Sequence, residues 1–277
     1  MTNRIALIVG VAATIAVTGA APAQEPARVD QPWLDSKIPP EARANAALAA
    51  MTLDEKLRLV FGYSDQALTD VAKVPDDIVS PELKNYVINH LVKGSAGFVP
   101  GVPRLGIPDQ TQTDASMGVR NSFIPSTALP SSLTTAASFD PQVARAGGAM
   151  IGAEARATGH NTMLSGGINL AREPRNGRNF EYAGEDPLLA GTMVGALIDG
   201  IQSNRIISTI KHYAVNDQES QRTTLDVTIS AEAMRQSDLL AFELAMEQGK
   251  PGSVMCSYNL INGRWGCEND YLLNTVL

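Results

Sequence analysis

Residues 186–212 read DPLLAGTMVGALIDGIQSNRIISTIKH, and this stretch decides the fold class. Asp186 is a helix cap and Pro187 suits the first helical position, where its missing N–H costs nothing. Leu189, Met193, Leu197 and Ile201 then recur at helical spacing on one side. After a short polar break, Ile206 to Ile210 is a β-branched run of strand character that ends at Lys211-His212. The same sentence is written on either side. Asp140-Pro141 opens a helix carrying Val143, Gly147, Met150 and Glu154, Gly159 ends it, and Asn161 to Leu170 follows as a strand. Ser230 caps a helix to about Gln248 with Leu239, Phe242 and Met246 inward, and Ser253 to Tyr258 is the next strand. Asn269 starts one more helix. Strands alternating with helices of this size predict βαβ units and a parallel α/β sheet. The length suits an eight-fold (β/α)8 TIM-like barrel, typically about 250 residues. At most five or six units can be traced, so the expectation is an incomplete barrel, an open arc with its last βα units missing.

Toward the N-terminus the pattern changes. Arg4, the apolar run Ile5 to Val17 and Ala21-Pro22-Ala23 have the order of a cleavable signal peptide, residues 1–23, cut after Ala23. The run is short for a bilayer span. The expectation is therefore a protein exported to the periplasm or secreted. Residues 24–40 read as an extended arm, and Glu41 to Met51 as a helix. Thr52 and Glu55 fit a capping box, in which hydroxyl and carboxylate each satisfy a free helix-start amide. Leu57, Val60 and Phe61 are expected to continue the apolar face. Residues 62–85 have weak periodicity and are assigned no element.

The 277 residues are 44% hydrophobic and 18% charged, an ordinary globular balance, with a formal net charge of −7 and no basic run. Such a surface repels phosphate backbones and anionic lipid, so nucleic acid and membrane surfaces are poor partners while a neutral substrate fits. The cysteines are Cys256 and Cys267 and the histidines His90, His160 and His212. No metal-ligand spacing arises from them, and no cofactor is implied. The two cysteines flank a turn at Asn262-Gly263 that would bring them together as a disulfide; two buried thiols is the other reading.

In parallel α/β folds, chemistry collects at the C-terminal ends of strands. Lys211 and His212 stand there, as do Tyr258 and Asn259, Arg178 to Glu181, and Asp114 ahead of Gly118-Val119-Arg120. Each has a plain reading. Lys211 is a solvated strand-end lysine or a Schiff-base amine, and His212 a core histidine or a catalyst. Arg178 orders its loop by pairing with Glu181 or Glu185, and Asp114 caps a turn. Together, two donors, an arginine and an aspartate suit a ligand rich in hydroxyls, such as a sugar.

At these residues the chain resembles glycoside hydrolase family 3, the β-glucosidase and β-xylosidase group. The resemblance runs from about Arg43 to Leu277 through MTLDEK (51–56), PRLGIP (103–108), Asp114 with GVR (118–120), GRNFE (177–181), EDP (185–187), GIQ (200–202), KHYAVN (211–216), VMCSYN (254–259) and Asn262-Gly263. It implies that residues 24–277 form the family's N-terminal catalytic barrel domain. It also implies that Asp114, Arg178, Lys211 and His212 grip the hydroxyls of the sugar whose bond is broken, with Arg120 supporting them. Met255 would line the pocket and Tyr258 would stand beside the nucleophile. The family's N-acetylhexosaminidases carry a Gly/His-rich loop where this chain has Tyr213 to Glu219, which favours the glucosidase/xylosidase branch. A β-glucoside or oligosaccharide is then the implied substrate. The family's nucleophile is an aspartate in a Ser/Thr-Asp-Trp segment on the next strand, and a second α/β domain usually supplies the acid/base. The expectation is that the nucleophile lies beyond Leu277 and that the chain as given is inactive. Asp109, Asp114, Glu181, Glu185, Asp217 and Glu219 are carboxylates within the motifs, and none is assigned as nucleophile. A sugar-binding protein without catalysis and a lyase built on Lys211 are the competing readings. Because neighbours on a strand point opposite ways, Lys211 and His212 reach one sugar only if the backbone twists, and a strained or even cis peptide between them is expected.

Overall fold

The structure is a computed structural model that describes residues 31–64 and 73–277. The expected signal peptide, residues 1–23, lies outside the described residues. The chain divides into a short unit, Met1–Ala49, and a main unit, Ala50–Leu277. In the first, residues 31–40 are not simply extended: Pro32–Leu34 makes a 3-10 turn around the buried Trp33, whose carbonyl accepts from Arg43 Nε. Helix α1 (Pro40–Ala50) follows.

The main unit begins with α2 (Leu53–Leu59), closed by the capping box: Glu55 N donates to Thr52 Oγ1 (3.2 Å) and Thr52 N to Glu55 Oε2 (2.9 Å). Leu57, Val60 and Phe61 do not continue a buried face; all three are exposed. The helix stops at Leu59, too short to lay a stripe on the core. Helix α3 (Pro81–His90) forms in the stretch that periodicity left unassigned. Its signal was the cap, with Ser80 Oγ accepting from Leu83 N and Pro81 in the first turn.

Five strands build the main sheet: β1 (Gly97–Val99), β2 (Gln110–Asp114), β3 (Thr162–Leu164), β4 (Ile207–Tyr213) and, after a short strand β5 (Asp226–Val227), β6 (Ser253–Cys256). They stand in the order β1-β2-β3-β4-β6 along a curled half-barrel. The β2-β3, β3-β4 and β4-β6 pairs are parallel, whereas β1 runs antiparallel to β2. The connection explains the exception. Residues 100–109 fold as a tight return, with a 3-10 turn at Pro103–Leu105 and a bridge between Val102 and Ile107. A parallel partner would need a crossover of a dozen or more residues. Asp109 Oδ1 fixes this return by accepting from Gly101 N (2.7 Å) and Tyr86 Oη (2.9 Å).

The crossovers are α4 (Ser132–Ala136) with α5 (Pro141–Ala157), then α6 (Pro187–Gln202), then α7 (Ala231–Gln236) with α8 (Asp238–Gly249). Asp140 and Asp186 cap α5 and α6 as their sequence implies. The buried face of α5 is displaced by one residue from the expected one. Ala144, Gly148, Ile151, Gly152 and Ala155 face inward, and Val143 is exposed. Small residues hold this seam because the helices touch backbone to backbone: a Cβ on Gly148 would stand 2.1 Å from the Leu197 carbonyl oxygen, and one on Gly200 2.1 Å from that of Arg145. Helix α6 packs against α5 on one side and α8 on the other, which is why it is apolar nearly all round.

The single helix expected from Ser230 breaks at Ser237 (φ −126°, ψ −91°), where the Asp238 side chain turns inward to Arg172. The strand expected over 161–170 is continuous only through Leu164, because Gly166 (φ 116°) leaves the extended region, and pairing resumes as a single parallel bridge between Gly167 and Lys211. A small second sheet joins β5 to β7 (Leu260–Ile261) and β8 (Arg264–Trp265). The last helix is one wide turn, Tyr271–Val276. Tyr213 ties it to the core, its ring edge-on to Phe242 at 5.0 Å and its hydroxyl donating to the Leu272 carbonyl (3.1 Å). No helix among the described residues is long and apolar enough to cross a membrane.

Candidate functional site

Asp114 is the last residue of β2, Lys211 lies near the end of β4, and Met255 is the third residue of β6, so parallel pairing delivers their side chains to one end of the sheet. A cleft of about 860 Å³ opens there, and Asp114, Arg120, Arg178, Lys211, His212, Met255 and Tyr258 all line it. The peptide bond between Lys211 and His212 is cis, and both side chains reach the same space. A second cis peptide follows at Tyr213–Ala214, and the pairing of β4 with β6 shifts register between Lys211 and Tyr213.

Lys211 is not a solvated strand-end lysine; its side chain is only 3% exposed. Its Nζ donates to Asp114 Oδ1 (3.1 Å) and stands 3.7 Å from Glu181 Oε2. A Schiff-base lysine needs an amine open to a carbonyl substrate, and this one is already engaged by two carboxylates. Arg178 Nε donates to Glu181 Oε1, and Ser116 Oγ donates to Glu181 Oε2 (3.1 Å). Of the two partners open to Arg178, the structure takes Glu181, four residues nearer than Glu185 and on the same 3-10 turn (Asn179–Glu181). Arg178 Nη1 also lies 3.7 Å from Glu219 Oε1, and Glu219 Oε2 accepts from Arg222 (3.1 Å). Arg222 in turn lies over the Tyr258 ring at 5.1 Å. Arg120 is the outlying member, mostly exposed and 3.9 Å from Asp114 Oδ2.

His212 is clamped from behind. Its backbone N donates to Asn169 Oδ1 (2.8 Å) while Asn169 Nδ2 donates to the His212 carbonyl (2.9 Å). Its Nδ1 stands 3.3 Å from both Asn169 Oδ1 and the Tyr182 hydroxyl. Burial pushes its pKa down to about 2, reinforced by the positive charges of Arg178, Lys211 and Arg222. The ring is therefore neutral at ordinary pH. With Nδ1 donating to Asn169, Nε2 is left as an acceptor. The cleft thus presents fixed cationic donors, carboxylate acceptors and one neutral imidazole, a set matched to hydroxyl groups, which both donate and accept.

Glu181, Ser116, Asn169 and Arg222 belong to this network although none was singled out as a site residue. Glu181 was legible in principle, because its i, i+3 spacing from Arg178 makes a pair that buries together. Asn169 carried no signal, since its side-chain amide holds the backbone of His212, 43 residues on. Cys256 and Cys267 form a disulfide with Cα atoms 5.3 Å apart, closing the segment that carries Tyr258. Among the described residues, no group of three or more His, Cys, Asp or Glu could hold a metal ion.

The model of the glycosyl hydrolase family 3 N-terminal domain matches residues 83–277. β-Glucosidase BoGH3A of Bacteroides ovatus is 35% identical over 257 residues, covering 88% of this chain and 30% of its own. Thermostable β-glucosidase B of Acetivibrio thermocellus is 37% identical over 215 residues, covering 71% of this chain and 28% of its own. Among solved structures, β-glucosidase 3B from Thermotoga neapolitana in complex with α-D-glucose superposes with a TM-score of 0.73 at 33% identity, covering 85% of this chain and 32% of that one. The chain spans under a third of the length of these relatives.

Proposed function

Since the chain belongs to glycosyl hydrolase family 3, we propose that it builds the glucose-holding part of an exported retaining β-glucosidase, which removes terminal non-reducing β-D-glucosyl residues. The observation that carries this reading is the convergence of Asp114, Arg178, Lys211 and His212, drawn from three separate strand ends, on one cleft. That a related β-glucosidase binds glucose supports it. In this reading Asp114 takes a pair of sugar hydroxyls, Lys211 and Arg178 donate, and neutral His212 accepts. Met255 and Tyr258 cover the apolar face of the ring. Hydrogen bonds that tighten as the ring flattens toward an oxocarbenium-like state contribute to rate as well as affinity.

Retaining hydrolysis also needs two carboxyl groups roughly 5 Å apart, one attacking and one protonating. The carboxylates in or beside the cleft already have other work: of those lining it, Asp114 pairs with Lys211 and Glu181 with Arg178, and Glu219 next to it pairs with Arg222. We therefore assign neither the nucleophile nor the acid/base to these carboxylates. The leader-like residues 1–23 support export, and the disulfide suits an oxidising compartment.

The test compares the 277-residue chain with a version extended by its downstream coding sequence, using an aryl β-glucoside for turnover and calorimetry with glucose for binding. Turnover is expected only in the extended form, and Asp114→Ala should abolish glucose binding in both. Turnover by the 277-residue chain at a similar rate would refute the exclusion of these carboxylates. Binding without turnover in the extended form would replace the enzyme by a carbohydrate-binding protein.

A further inference from the structure

Behind the cleft, outside its lining, two acids are buried on one arginine. Arg172 Nε stands 3.3 Å from Asp217 Oδ2, and Arg172 Nη2 donates to Asp238 Oδ2 and to Ser237 Oγ (2.8 Å). The Asp238 side chain is 0% exposed and that of Asp217 11%. Each acid uses one oxygen on the arginine. The other, Oδ1 in both cases, is buried with no hydrogen-bond partner. Two carboxylates offer only acceptors, so nothing between them can satisfy either atom. A proton can: both carboxyl groups sit side by side on the one Arg172 guanidinium, and a proton on either turns an orphaned acceptor into a donor. It also brings the cluster to neutrality, one cation against one anion.

The position of this cluster matters for the site. Arg172 opens the segment that carries Arg178 and Glu181, and Asp217 opens the one that carries Glu219 and Arg222. The Arg172–Asp217 contact is the first rung between these loops, and the Arg178–Glu219 contact is the second. Asp238, at the start of α8, is the fixed end.

We infer that Asp217 and Asp238 share one proton, and that this acid pair, held on Arg172, positions the two loops that bring Arg178 and Arg222 to the cleft. The inference rests on the proposed glucose site for its functional consequence, though not for the proton itself. The groups that face Asp217 are Arg172, Asp238 and the Tyr182 hydroxyl; those that face Asp238 are Arg172, Asp217 and the Ser237 hydroxyl. Burial first, and then the neighbouring Asp238, push the Asp217 carboxyl up to about 8, with Arg172 opposing. Loss of the proton above that pH leaves two like charges facing each other without a donor. The rung then opens.

Carbon-13 NMR of the 277-residue chain labelled in its aspartate carboxyls is the direct test. One carboxyl should titrate near pH 8 and vanish in Asp217→Asn, whose amide donates to Asp238 while its oxygen accepts from Arg172. Glucose affinity, measured by calorimetry, should fall about tenfold from pH 6 to pH 9 in the wild type, as linkage to one proton requires. In Asp217→Asn the fall should be less than about twofold. Every aspartate ionised by pH 6 would overturn the shared proton, whatever the variant does. A carboxyl titrating near pH 8 with glucose affinity flat across it would overturn the positioning role. The same titration with no glucose binding at any pH would leave the proton pair standing and refute the glucose site instead.

Discussion

Alanine at Gly148 and alanine at the adjacent Gly147 should change stability in opposite directions. A methyl group on Gly148 would lie 2.1 Å from the Leu197 carbonyl oxygen and 3.1 Å from the Ile201 amide nitrogen. These are backbone atoms of α6, which cannot rotate away as a side chain would, so the two helices must separate by about 1 Å over a buried seam. Overpacking of this kind costs about 1–3 kcal/mol, and the upper end applies where the obstacle is backbone. The gain in helix propensity of alanine over glycine is about 1 kcal/mol. The net loss should be about 2 kcal/mol, or a fall in melting temperature of about 4–8 °C for a domain of this size. A methyl on Gly147 would meet only Leu129 Cδ1, at an ordinary 3.6 Å. There the propensity gain stands alone, and stability should rise by up to about 1 kcal/mol. Urea and thermal melts of the two variants beside the wild type measure both. If Gly148→Ala is as stable as the wild type, or the two variants shift together, the backbone contact between α5 and α6 is not as described.

Acid should weaken the fold through His212. Its folded pKa is pushed down to about 2 against about 6.5 unfolded, so the unfolded chain binds the extra proton. The stability it contributes is complete above pH 6.5 and falls toward pH 2 by up to about 1.4 kcal/mol per unit. Between pH 7 and 4.5 the wild type should therefore lose about 2–3 kcal/mol more than His212→Gln in urea melts, and equal losses would refute the buried neutral ring. Reducing the Cys256–Cys267 bond, which closes a short loop with a sequence separation of 11, should cost about 2–3 kcal/mol. Melts with and without reductant read this directly, and no shift would mean the bond does not constrain the unfolded chain. Lys211→Met leaves Asp114 without its buried partner and Glu181 with Arg178 and the Ser116 hydroxyl. A loss of about 3 kcal/mol is expected, with glucose binding undetectable by calorimetry; retention of both would refute the pairing.

The crossover helices and the strands they feed were legible because aspartate caps and bulky apolar residues mark them plainly. Asp140-Pro141 and Asp186-Pro187 start helices where the sequence places them. What escaped was written in residues that carry no bulk. The buried face of α5 is glycine and alanine, invisible to a search for large side chains, so the reading settled on Val143, one position away. The helix break at Ser237 escaped because its cause, the pairing of the adjacent buried Asp238 with Arg172, spans 66 residues of chain. The antiparallel β1 was decided by the length of a connection rather than by either strand. In the site, positions were legible and partnerships were not. Lys211, Arg178 and Asp114 announce themselves at strand ends, yet nothing local tells that Lys211 meets Asp114 across 97 residues of chain.

The mutual pairing of charges around the cleft has a consequence for selectivity. Lys211, Arg178 and Arg222 are each matched to a carboxylate before any ligand arrives, and the Lys211 side chain and the Arg178–Glu181 pair are largely withdrawn from solvent. Dissolved salt screens such pairs weakly, so the grip on an uncharged sugar should vary little with ionic strength. A uronic acid or a sugar phosphate would have to displace one of these carboxylates to claim its cation, leaving the displaced group buried and alone. If the cleft holds glucose as proposed, it should reject charged sugars with the same contacts that hold neutral ones.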